Sequence, residues 1–147
     1  NRTRLAEMAR EDQSGDWAAR LSPSLDEIES IAIEALAHLP QEFRTLCGDI
    51  IIQISDFPEE QIVEDMGLET PFDLLGLFEG TGIGERFSLQ TGEGPNRITL
   101  FRRAILDYWS EHEETLGDII THVLIHEIGH HFGLSDDDME ALEAQAE

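Results

Sequence analysis

The sequence predicts an α+β fold, with a small mixed β-sheet packed on a long helix near the C-terminus. Two short runs around Ile50–Ile54 and Ile98–Phe101 alternate or are β-branched, as strands are. Stretches with apolar residues at helical spacing and capping residues at their starts flank them. The stretch from Ile119 to Phe132 is apolar on nearly every side, which marks a helix at the centre of a core. A length of 147 residues suits one ordinary domain, and it is enough to bury a core without disulfides.

The first residues, 1–21, are polar and mixed in charge. They are expected to form a weak helix or arm, with Trp17 docking on the body; the domain proper is taken as 22–147. Ser24 reads as a helix N-cap, and Glu27 completes a capping box. Ile28, Ile31, Ala32, Ala35, Leu36 and Leu39 then keep helical spacing until Pro40. A helical turn is expected over Gln41 to Leu46, and His38 sits where a cation favours the helix dipole. Asp49 to Ser55 reads as a strand. Pro58 opens a short acidic helix, Glu59 to Met66, closed by Gly67. Phe72 to Glu79 is a second apolar run in which Gly76 and Gly80 favour a strand. Gly80 to Asn96 is glycine-rich and reads as a long loop, a candidate lid. Arg97 to Arg102 is a third strand, and a helix over about Ala104 to Glu113 follows.

Thr115 with Asp118 has the form of a second capping box and starts the long helix. That helix contains His126-Glu127-Ile128-Gly129-His130, the pattern H-E-x-x-H. Residues four apart share a helix face, so His126 and His130 can reach one ion. Glu127 stands one residue round and can hold an activated water. Zinc with an open coordination position lowers the pKa of its water to about 7, and a carboxylate can take the proton. A third protein ligand is required. Gly133 can end the helix in the left-handed conformation, and the chain can then return with Asp136. The longer pattern is H-E-x-x-H-x-x-G-x-x-D.

Each feature has a plainer reading. His126, Glu127 and His130 replace apolar residues on the inward arc of a buried helix, so they need partners. Either a metal with its water or a metal-free hydrogen-bonded cluster supplies them. Asp136, Asp137 and Asp138 are also what a helix N-terminus favours. His122 continues the ladder one turn earlier. At 1.5 Å rise per residue it lies about 12 Å from His130 along the axis, too far to share one tetrahedral ion. It is read as a supporting or core histidine, and His131 as structural. Met139 is read as core. Tyr108, Arg102 and Arg103 are read as structural rather than as transition-state donors.

The stretches HEIGHHFGLSDDDM, FRRAILDYW and PFDLLGLFEG resemble the minimal zincins, small bacterial zincin-like proteins whose peptidase activity is inferred from their motif. The resemblance runs from about Ser24 to the C-terminus. It implies an α+β minimal zincin-like fold, with His126 and His130 as zinc ligands, Glu127 as base and Asp136 as third ligand. It also implies an edge strand that holds an extended peptide antiparallel, for which Leu74 to Glu79 is the candidate. The chain departs from larger metzincins in having Asp at the last ligand position and no separate Met-turn after it.

A formal charge of −23, from 32 acidic against 9 basic residues, disfavours nucleic acid and anionic membranes as partners. The lone Cys47, in apolar surroundings, fits a reducing compartment and an inert buried thiol. No signal-like or membrane-spanning apolar run is visible, and a cytoplasmic protein is expected. The expectation is a zinc metallopeptidase acting on a peptide or protein. The rival is a zincin-fold module that binds extended peptides or partner proteins with little or no catalysis.

Overall fold

The central strand of the sheet is buried on both faces. The computed structural model describes residues 16–80 and 96–146. After a 3₁₀ turn at Asp16–Ala19 the chain forms α1 (Leu25–Ala37), α2 (Gln41–Cys47) and β1 (Ile50–Ser55). Next come α3 (Glu60–Asp65), a 3₁₀ turn (Pro71–Asp73) and β2 (Gly76–Glu79). Then follow β3 (Asn96–Phe101), α4 (Arg102–Glu111), α5 (Leu116–His131) and α6 (Asp136–Ala146). The strand order is β1-β3-β2, with β1 parallel and β2 antiparallel to β3. This is the small mixed sheet of the expected α+β architecture.

The helix boundaries follow the capping chemistry. Ser24 Oγ accepts from the Glu27 amide, and Glu27 Oε1 accepts from the Ser24 amide, so two orphan donors at the start of α1 are served at once. His38 caps its far end, its ring Nδ1 lying 2.8 Å from the Glu34 carbonyl. Thr115 Oγ1 accepts from the Asp118 amide and starts α5. Gly67 takes φ +67 after α3, a left-handed conformation that costs glycine little. The apolar run from Phe72 divides: Thr70 caps a 3₁₀ turn through Asp73, and only Gly76 onward is strand. The loop expected between Gly80 and Asn96, and the arm before Asp16, lie outside the described residues. Trp17 is half exposed, with the Arg20 guanidinium 5.0 Å over its ring.

The main core lies between the sheet and the helices. Ile98 and Leu100 of β3 meet Ile28 of α1 and Ile120, Leu124, Ile125 and Ile128 of α5. Each such side chain, fully buried, contributes roughly 1.5–3 kcal/mol relative to exposure. The opposite face of β3 is covered by a smaller cluster of Leu74, Phe101 and Ala104, with Ile62, Leu68 and Leu77 around it. Cys47 is buried and reduced, and burial pushes its thiol up to about 11. Arg102 is structural: its guanidinium donates to the Pro23 carbonyl, Ser22 Oγ and Asp56 Oδ1, tying the entry to α1 to the end of β1.

β2 reaches α5 through Gly76. A Cβ there would stand 2.8 Å from Val123 Cγ1 and 3.4 Å from Glu127 Cγ. The missing side chain therefore sets how closely the strand approaches the helix. Gly76→Ala should cost about 1–3 kcal/mol by overpacking. Gly117→Ala, with nothing within 4 Å of its added methyl, should be neutral or stabilise by up to about 1 kcal/mol. Urea midpoints of the two variants check this pair.

Candidate metal and active site

The site lies where α5 changes from an apolar to a polar surface. Leu116, Ile119, Ile120, Val123, Leu124, Ile125, Ile128 and Gly129 are buried. His126 and Glu127 are half-buried, and His122 and His130 lie on the open side. The helix ends as Gly133 takes φ +80. Its amide donates to the His130 carbonyl and the Leu134 amide to the Gly129 carbonyl, so the last turn is closed. Ser135 and Asp138 then cap α6 reciprocally.

α6 folds back along α5. Met139, fully buried, lies against Gly129, where a Cβ would come within 2.7 Å of its sulfur. One turn further along α6, Glu143 faces α5. Its Oε2 is 2.9 Å from His122 Nδ1 and its Oε1 is 2.8 Å from His126 Nε2. The His122 and His126 rings stack at 3.9 Å, whereas His126 and His130 meet edge to face at 5.8 Å. Among the described residues, His122, His126 and Glu143 form the group able to hold a metal ion, their ligand atoms within 4.8 Å of one another.

The expected site residues are thus dispersed along two helices. His126 and His130 share a face of α5, and Glu127 lies beside them. Asp136 is exposed in the first turn of α6 with Asp137 and Asp138. His131 is structural, its ring 4.4 Å from Phe78. His112 stacks on Tyr108 at 3.7 Å. Glu143 was missed by sequence reasoning, although a signal existed. It falls at the i+4 position from buried Met139, so it is a charged residue on an inward stripe. The same logic singled out His126.

A cleft of about 330 Å³ opens over the polar turns of α5. Its floor is Ile119, His122, Val123, His126 and Glu127, and its walls are Asp73, Leu74 and Leu75 before β2, with Tyr108 and Glu114 opposite. Partial burial and the neighbouring Glu114 carboxylate raise the Tyr108 phenol above its ordinary range. The two carboxylates of the helix pair are pushed apart. Burial raises Glu127 above the usual carboxylate value, and nearby His130 opposes this only in part. For Glu143, burial would also raise the value, but hydrogen bonds from His122 and His126 outweigh it and hold the group low. Imidazole nitrogens with carboxylate oxygens are the donor class that zinc takes, and the residues at this site fit that ion.

A raised value in the folded state means that ionising Glu127 opposes folding. The corresponding stability is complete at low pH and is lost as pH rises from the ordinary carboxylate range through the raised value. Glu127→Gln should therefore melt higher than the wild type at neutral pH. The gap should close at pH values below the ordinary carboxylate range, as thermal melts across a pH series would show.

No curated protein sequence matches the chain. No helix among the described residues is long and apolar enough to cross a membrane. Residues 47–146 match the family model described as zincin-like metallopeptidase. That span holds the whole sheet, the cleft, the H-E-x-x-H helix and α6, and the chain belongs to the zincin-like metallopeptidase family.

Proposed function

We propose that the chain is a zinc-dependent hydrolase of peptide bonds. The observation that carries this reading is Glu127. It is a half-buried carboxylate with a raised proton affinity, next to His126 on the floor of a cleft. His126 and His130 would hold the metal, with Asp136 the candidate third ligand from the start of α6. When bound, zinc supplies Lewis acidity that acidifies water and polarises a scissile carbonyl. Glu127 takes the proton of the attacking water at its carboxylate and returns it to the leaving amine. Its raised value brings it nearer to working pH, which suits a group that must both accept and donate. The edge of β2 that carries no strand partner among the described residues stands beside Glu127 and would offer backbone donors and acceptors to an extended peptide. The walls at Leu74 and Leu75 shield the reacting groups from bulk water.

A second reading is favoured by one observation: Glu143 already engages His126 Nε2, the atom a metal would take. On that reading the fold binds extended peptides or partner proteins at the β2 edge without cleaving them.

Protein purified without chelator should hold one zinc per chain and cleave a peptide library. Glu127→Ala should keep its zinc and lose about 10²–10⁴-fold in rate, while His126→Ala should lose the metal. Mass spectrometry of the digests and elemental analysis provide the readouts. A zinc-loaded wild type that binds peptides but leaves them intact would establish the second reading.

A further inference from the structure

The contact between α5 and α6 has the composition of a metal site. His122 and His126 stand one helical turn apart with stacked rings, 3.9 Å between centroids. Met139 against Gly129 fixes where α6 runs, and Glu143 is thereby brought opposite both rings. Each carboxylate oxygen meets one ring nitrogen, at 2.9 Å for His122 Nδ1 and 2.8 Å for His126 Nε2. In this state each of those nitrogens must carry a proton to donate, and a cation would replace both. Around a tetrahedral ion with bonds of about 2.0–2.1 Å, donor atoms lie about 3.3 Å apart. Here the three donor atoms lie within 4.8 Å of one another, so small side-chain rotations bring them to that spacing. His122 is half exposed and lines the same cleft as His126, which gives the ion an entry path and leaves room for water to complete its shell.

We propose that His122, His126 and Glu143 form a divalent transition-metal site of their own, distinct from the H-E-x-x-H pair and sharing His126 with it. The donor set of two imidazoles and one carboxylate selects zinc, cobalt, nickel or copper over calcium or magnesium. His126 Nε2 can serve one ion at a time. The two positions are therefore alternatives, and an ion held by Glu143 withdraws His126 from its partnership with His130. Glu143 is distant in sequence from both histidines, so an ion here also clamps α6 to α5. The proposal does not depend on peptidase activity.

The test uses the full chain stripped of metal. Zinc affinity is measured by competition with a chromophoric chelator, and the ligand field by visible absorption of the cobalt(II) form. His122→Ala and Glu143→Gln should each weaken zinc binding at least tenfold and alter the cobalt spectrum. His130→Ala removes only the H-E-x-x-H position, so it should still bind zinc, and adding Glu143→Gln to it should abolish that binding. Zinc should raise the melting temperature of the wild type more than that of Glu143→Gln. Melts of the metal-free variants confirm that they fold, which the exposure of His122 favours. If zinc binding is lost in His130→Ala but unchanged in His122→Ala and Glu143→Gln, the proposal is overturned while the peptidase reading stands. If the wild type binds no zinc at all, both fail.

Discussion

Enclosure of α5 is the constraint on which the other features depend. The sheet, α1 and α6 cover most of its circumference, so polar side chains are tolerated only where a neighbour or an opening serves them. His126 and Glu127 are placed at such a position. Inserting a charged or polar group into a packed interior costs several kcal/mol unless it is partnered. The surrounding elements are arranged to provide those partners. β2 draws close because Gly76 has no side chain. α6 draws close because Gly129 leaves space for Met139. Two glycine contacts thus set the distance of the cleft wall on one side and of the Glu143 carboxylate on the other.

The electrostatics of the site follow from this packing. Glu127 and Glu143 are both glutamates served by histidines of one helix, yet their proton affinities move in opposite directions. Glu127 faces desolvation that His130 does not fully offset. Glu143 receives two hydrogen bonds, which hold its charge. The one carboxylate holds its proton more tightly than an ordinary glutamate, and the other is held as an anion beside two rings. The strong negative charge of the chain adds a field that favours cations near the cleft, metal ions among them.

Much of the fold was legible because its signals are local. The Ser24 and Thr115 caps, the Ile50–Ser55 alternation, Gly67 and Gly133 each act within a few residues, and each stands where the sequence placed it. The run from Phe72 was less legible. Its apolar character suits a strand throughout, but the Thr70 and Asp73 side chains close a 3₁₀ turn on its first half. Trp17, expected to dock on the body, remains half exposed.

For the site, the sequence by itself determined the H-E-x-x-H face of α5. Helical periodicity fixes which side chains of one helix lie together, whatever packs around them. It also determined the end of that helix at Gly133, where the left-handed conformation costs glycine little. Only the tertiary structure decided what the last helix brings back. The angle at which α6 returns is set by Met139 seating against Gly129, a contact between residues on different helices that no local pattern encodes. That seating carries Glu143 to His122 and His126, and leaves Asp136 in the solvent-exposed first turn. It also turned His122 from a supporting residue of the ladder into a member of a group able to bind an ion.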